Sequence, residues 1–429
     1  MYSNQSNVSV DRKLSFFISF SFLLVAVNRV FTLPFASSYQ TVVSLGQWCC
    51  FFCLFLYNYQ HISKRIHNLL VNSYVLFSLL YIFSCLFSFL RNQPIDLIIS
   101  HEVVWTLFFF LPVGLAAFAV KNYKILYIYL YKYSYIISSL CIFYSVYRLY
   151  INPFGNSYDM AFGYILLVPA LFHCSEFKKS RNVFVLIIFI IELVFLLLFG
   201  SRGVIIGIVS YLFLDTLFKA KTKLDKFKLF VPIIALFVVY VQLPRINDYL
   251  ESQDIYSRTI YKLATGDEDD DTNGRSNHWD AGWDLVVENP LIGYGLGGYY
   301  YDFHKVISRK HPEELYAFDP ELGIWVKSGV SVSGTHSGFI DMILFFGVLL
   351  GFPLALYMLF SIFRLRDIRD SSLFDLILIF YCSHIIGNMI VGGGIFTKPG
   401  CAIYLYLIYK IIKQKKRIKQ VDDSIISQK

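Results

Sequence analysis

The sequence predicts an all-α integral membrane protein of about twelve transmembrane helices, with one large extracytoplasmic loop between the ninth and the tenth. Three observations carry this expectation. The chain is 56% hydrophobic and only 16% charged, with a mean hydropathy of +0.55, far more apolar than a soluble domain of its length. Apolar stretches bounded by charge, Pro or Gly recur at the length a bilayer core requires. The segments between them alternate between Lys/Arg-rich and Lys/Arg-poor.

Taken in order, the first nine apolar stretches cover residues 14–32, 40–58, 69–90, 98–120, 125–147, 158–174, 183–200, 203–218 and 229–243. The last three cover 337–362, 372–391 and 398–412. The first has no small-residue cleavage site and reads as a retained helix. Basic residues gather at Arg12–Lys13, Lys64–Arg65, Lys121–Lys124, Lys178–Arg181, Lys219–Lys228, Arg364–Arg369 and from Lys410 onward. These segments are assigned to the cytoplasm, which puts both termini there. The formal net charge of +8 is then topological, suited to anionic headgroups and giving no reason to invoke nucleic acid. The expected organisation is helices one to nine over 1–243, a periplasmic loop domain over 244–335, helices ten to twelve over 336–413 and a cytoplasmic basic tail over 414–429.

The loop holds sixteen Asp/Glu against eight Lys/Arg, so it escapes the positive bias of the inner face and meets its substrate outside. Residues 274–288 read as a short amphipathic helix with Trp279, Trp283 and Val287 on one stripe. Gly293, Gly295, Gly297 and Gly298, followed by three tyrosines, suggest a tight turn near the membrane surface. The spacing Gly293-x-Gly295-x-x-Gly298 lacks the βαβ context of a dinucleotide site. The acidic run Asp267–Asp271 reads as a solvated surface rather than a metal site, and Cys50-x-x-Cys53 inside an apolar helix reads as packing. No metal or cofactor is expected.

Gly200-Ser-Arg-Gly203 places Arg202 between two helices on the outer side, where basic residues are scarce, with Ser201 able to cap the helix that follows. Ser333-Gly-Thr-His-Ser-Gly338 repeats the geometry, opening the tenth helix outward with His336 at its positive dipole end. That end disfavours imidazolium, so His336 is suited to accept a proton. Asp341, five residues on in an apolar run, is placed to orient a neighbour. Arg275 opposes the dipole of the helix it heads and so needs another reason to be there. Two outward helix ends, two or three Arg and a His make a phosphate or pyrophosphate site with a base beside it.

Three patches resemble the bacterial O-antigen polymerase and ligase family, the Wzy-type polymerases and their ligase relatives. They are Phe199-Gly-Ser-Arg-Gly203; Gly274-Arg-Ser with Trp279, Trp283 and Glu288-Asn-Pro-Leu-Ile-Gly-Tyr-Gly295; and Gly334-Thr-His-Ser-Gly-Phe339 with Gly347 and Gly351 beyond. The resemblance implies a GT-C-like membrane glycosyltransferase that moves a glycan from undecaprenyl pyrophosphate to an acceptor hydroxyl with inversion, using neither nucleotide nor metal. Carried over by position, Arg202 and Arg275 hold the donor pyrophosphate and His336 deprotonates the acceptor. Ser201, Arg245, Trp279, Thr335 and Asp341 are candidates for substrate binding. The implied partners are the lipid-linked oligosaccharide, membrane lipids, a chain-length regulator and a flippase, in the bacterial inner membrane. The patches look more like polymerases than ligases that deliver a finished glycan to lipid A core or protein. A transporter of lipid-linked sugar is the reading from another class. The uneven nine-plus-three division of helices argues against it, while Glu102, Lys132, Glu192 and Asp215 either mark a pathway or pair with one another.

Overall fold

The computed structural model describes residues 2–32, 37–90, 106–151, 160–199, 202–220, 230–253, 260–261, 264, 275–295, 299–311, 316–319, 324–327, 335, 337–368, 371–391 and 398–426. Among them the chain is almost wholly helical, and each of the twelve predicted apolar stretches overlaps a helix. Four segments, Gly46–Phe83, Tyr123–Tyr147, Gly338–Arg366 and Ser372–Met389, are long and apolar enough to cross a membrane. One short antiparallel hairpin pairs Tyr316–Asp319 with Ile324–Lys327 in the loop, in the register Tyr316 to Lys327 and Asp319 to Ile324.

The helix Ser37–Leu90 contains two predicted stretches, and its backbone leaves helical geometry at Ile66 (φ −144°, ψ 33°), beside Lys64 and Arg65. Phe51, in one arm, stacks on Phe109 at 4.1 Å, and Tyr74, in the other, donates to the Leu107 carbonyl at 3.4 Å. A straight helix would hold Phe51 and Tyr74 about 34 Å apart. Both arms therefore run along the same neighbour, and Ile66 is the turn between them. That neighbour continues as Leu111–Ala119, in which every residue is buried. It is apolar all round because protein surrounds it on every side.

The basic segments assigned to the cytoplasm meet at one end of the bundle. Asp215 pairs with Lys178 (2.8 Å) and Lys219 (2.6 Å), and Asp375 with Lys179 (2.7 Å) and Lys219 (3.1 Å), joining three helices. Lys179 lies 3.8 Å over Tyr127, and Lys410 lies 4.7 Å over Tyr123, one turn away on the same helix. Asp215 is thus neutralised by lysines at the bundle end. Glu192 accepts from Ser138 and lies 2.8 Å from His173 Nδ1 in the interior. Lys132 is exposed on its helix, and Glu102 lies outside the described residues.

Three features depart from the sequence expectation. The stretch 337–362 does not form one straight helix, because Gly347 (φ +70°, ψ 174°) breaks it. A Cβ at Gly351 would lie 2.2 Å from the Met342 carbonyl oxygen, where a straight helix would separate these turns by about 13 Å. The second half therefore folds back on the first. In the loop, the helix Arg275–Glu288 buries His278, Ala281, Leu285 and Val286, while Trp283 and Val287 of the predicted stripe are exposed. Ala281 and Gly282 permit a closer approach to the core than the Trp-bearing face would allow. Finally, the helix Phe230–Ser252 runs past Leu243 with Pro244 inside it.

Candidate active site

The break at Gly347 organises the end of the structure that holds the Trp-bearing helix. Interrupting the helix frees the carbonyls of Leu344 and Phe345 and the N–H of Val348, all of which need partners in an apolar setting. The segment Pro290–Gly295 supplies them. Tyr294 N–H donates to Leu344 O (2.7 Å), Gly295 N–H to Phe345 O (2.9 Å), and Val348 N–H to Pro290 O (2.7 Å). Gly293 (φ +75°) and Gly295 (φ +79°) give this segment its turns. The loop motif Glu288–Gly295 is thus joined by backbone hydrogen bonds to the helix that follows Ser337.

That helix begins at Gly338, with Ser337 as its extended cap accepting from Ile340 N–H at 3.5 Å. Asp341, in its first turn, is buried, and its carboxylate receives hydrogen bonds from Thr335 and Tyr299. Thr335 donates through its hydroxyl (2.7 Å) and its backbone N–H (3.3 Å), and Tyr299 through its phenol (2.7 Å). Thr335 is fully buried, and its hydroxyl also accepts from the Ser337 N–H at 3.2 Å. The carboxylate therefore fixes the backbone on the near side of His336, which itself lies outside the described residues, as does Ser201. Tyr299 is the participant that sequence reading missed; its signal was the tyrosine run after the glycines, read as a turn. The turn lies at Gly293 and Gly295, and Tyr299 immediately precedes the helix Tyr300–Lys310.

The Trp-bearing helix packs directly on this loop: a Cβ at Gly282 would lie 2.8 Å from Thr335 Cγ2 and 3.0 Å from Ile340 Cγ2. Trp279, one turn earlier, has its indole Nε1 buried without a hydrogen-bond partner among the described residues. Arg275 and Arg202 each open a helix, and their side chains lie outside the described residues. Arg245 is exposed and donates to Gln242 at 3.3 Å, within its own turn and not to the Thr335 loop.

The Arg202 helix and the Thr335 loop converge on a common neighbour. A Cβ at Gly387 would lie 2.9 Å from the Gly203 carbonyl oxygen, and Ser337 Oγ donates to the Met389 carbonyl at 3.3 Å. Lys219, at the far end of the Arg202 helix, belongs to the lysine cluster, about 26 Å away along the axis. The start of that helix and the Thr335–Ser337 loop therefore share the end opposite the lysines.

Residues 185–374 match the family model Wzy_C, described as O-antigen ligase. This stretch of the chain is similar to the O-antigen ligase family domain. That domain contains all three patches that resembled the polymerase and ligase family, together with Thr335, Asp341 and Tyr299. It supports a membrane role in polysaccharide biosynthesis of the O-antigen ligase or polymerase type. No curated protein matches the chain significantly.

Two predictions arise from this domain. Tyr299→Phe removes one hydrogen bond from a buried carboxylate and should cost about 1.5–3 kcal/mol, read as a lowered Tm of the purified protein. At the loop surface, Lys310 pairs with Asp284 and with Asp280 (3.2 Å), tying helix Tyr300–Lys310 to the Trp-bearing helix, with His311 3.6 Å from Asp280. The hydrogen bond from Lys310 holds the Asp280 carboxyl below its usual value, and the bond to Asp284 holds the Lys310 ammonium above its own. The Asp280 contribution is therefore full above about pH 4 and lost as pH falls through the lowered value, while that of Lys310 is lost only at strongly alkaline pH. Hydrogen-exchange protection of residues 300–310 should be flat from about pH 5 to 9 and fall below about pH 4. Lys310→Met should lower that protection at neutral pH and abolish the dependence.

Proposed function

We propose that the chain is an integral membrane glycosyltransferase that polymerises surface-polysaccharide repeat units, such as O-antigen or capsule. The donor is the growing glycan on undecaprenyl pyrophosphate, and the acceptor is a lipid-linked repeat unit. The observation that carries this reading is the convergence of the Arg202 helix start and the Thr335–Ser337 loop on residues 387–389, at the end away from the lysine cluster.

In the proposed reaction an acceptor hydroxyl attacks the anomeric carbon of the donor sugar. The bond from that carbon to the pyrophosphate oxygen breaks, undecaprenyl pyrophosphate leaves, the anomeric centre inverts, and His336 takes the hydroxyl proton. Arg202 and Arg275 bind the pyrophosphate and stabilise the charge that develops on it, which guanidinium groups do bidentately. Ser201 supports the Arg202 helix start. Asp341, Thr335 and Tyr299 hold the loop that bears His336, and the Trp279 N–H, which has no partner among the described residues, is available to a sugar or phosphate oxygen. Arg245 is a more distant candidate for the lipid-linked chain. In this reading about twelve helices span the inner membrane in a GT-C-like arrangement, both termini are cytoplasmic and the loop 244–335 is periplasmic, where a flippase delivers the repeat unit and a chain-length regulator acts.

The family model's description favours a second reading, ligation of a finished glycan to lipid A core or protein. The two separate by acceptor. Purified full-length protein given the lipid-linked repeat unit alone should yield a ladder of longer lipid-linked chains. Product on added lipid A core with no ladder would make it a ligase, and turnover of neither by a folded preparation would turn attention to transport.

A further inference from the structure

At the lysine-rich end of the bundle, away from the proposed transfer site, the turn at Ile66 borders a cavity of about 500 Å³. Lys64, Arg65, Lys121, Lys410 and Lys413 line it, and no Asp or Glu does. Two of these cations are held in place by the fold. Arg65 pairs with Asp11 and donates to the carbonyls of Ala119 (3.0 Å) and Asn7 (3.2 Å), and Lys410 donates to those of Phe118 (2.8 Å) and Val120 (2.7 Å). The neighbouring carboxylate, Asp11, is already used. Besides Arg65 it accepts from the backbone N–H groups of Lys121 (3.1 Å) and Asn122 (3.0 Å). Lys64, Lys121 and Lys413 are exposed, and their ammonium groups have no hydrogen bond or ion pair among the described residues.

Like charges gathered around one concavity repel each other, and among the described residues no carboxylate lines it to offset them. The cavity also has an apolar wall, contributed by Ile66, Leu69 and Phe118. Fixed cations beside an apolar wall, at the end of a transmembrane bundle, suit a phosphate carried at the membrane surface. We propose that this cavity is a binding site for a phosphate-bearing group, either the headgroup of an anionic membrane lipid or a free phosphate or pyrophosphate. It does not depend on the transfer reaction.

The test is thermal unfolding of the full-length protein in neutral detergent at constant ionic strength. The protein is titrated separately with short-chain phosphatidylglycerol, short-chain phosphatidylcholine, inorganic phosphate and pyrophosphate. The triple variant Lys64→Gln/Lys121→Gln/Lys413→Gln leaves the held pair Arg65 and Lys410 intact and should fold. A control, Lys124→Gln/Arg181→Gln/Arg366→Gln, removes three charges that do not line the cavity. The expected result is a saturable rise in Tm with an anionic probe, an apparent Kd at least tenfold weaker in the triple variant, and no such change in the control. Saturation by phosphatidylglycerol alone identifies a lipid headgroup, and equal saturation by phosphate or pyrophosphate identifies the free anion. The proposal is overturned if no anionic probe gives a saturable shift, if phosphatidylcholine does as well as phosphatidylglycerol, or if the triple and control variants respond alike.

Discussion

His336→Ala is expected to lower glycan transfer by about 10²–10⁴-fold at saturating substrate while leaving donor binding and Tm nearly unchanged, the range typical of losing a positioned general base. The expectation follows from the environment on both sides of the residue. Thr335 is fixed by two hydrogen bonds to Asp341, and Ser337 caps the next helix while bonding Met389. In the proposed reaction His336, which lies between these two residues in the sequence, takes the acceptor proton. Single-turnover measurements separate this loss from a binding defect, and a rate within threefold of wild type would remove His336 from the reaction. Asp341→Ala should also slow transfer, together with a fall in Tm, because it releases Thr335 and Tyr299 at once.

Gly347→Ala should be the most damaging small substitution in the chain. Its backbone lies in a region open essentially to glycine, and an added Cβ would meet the Leu291 carbonyl oxygen at 2.1 Å and its carbon at 2.4 Å. Both are backbone atoms, fixed by the bonds from Tyr294, Gly295 and Val348, so neither can step aside. The strain alone is about 1–3 kcal/mol, and separating Pro290–Gly295 from the break would strand three backbone groups in an apolar setting. The expected result is a Tm lowered by many degrees or loss of folded protein, with Gly293→Ala close behind, since its Cβ would lie 2.5 Å from Gly347 N. Gly46→Ala, in a helix with nothing within 4 Å of the added carbon, should be neutral or slightly stabilising.

Much of this architecture was legible because bilayers impose length and charge rules that a sequence displays directly. The basic turn at Lys64–Arg65 marked the division of Ser37–Leu90, and Ser337 and Asp341 were visible as a helix start with a misplaced carboxylate. What escaped depends on distant partners. An unbroken apolar run around Gly347 reads as one helix, since the groups that stabilise its break lie in Pro290–Gly295. Trp279, Trp283 and Val287 looked like the buried stripe because they are the large apolar residues. Trp283 and Val287 are exposed instead, the helix approaches the core where Gly282 meets Thr335, and periodicity cannot distinguish close approach from exposure. Tyr299 was hidden for the same reason, as its partner Asp341 lies far along the chain.

The proposed function assigns the donor pyrophosphate to Arg202 and Arg275, beside the Thr335 loop. The direct measurement is transfer by purified full-length protein from its lipid-linked donor, in chelator and without nucleotide, comparing wild type with Arg202→Ala/Arg275→Ala. The expected result is undiminished product from wild type, and from the double variant a fall of at least about 10²-fold in rate with the donor left intact. A folded double variant that transfers as fast as wild type, or a wild type that needs a nucleotide or a metal, would contradict it.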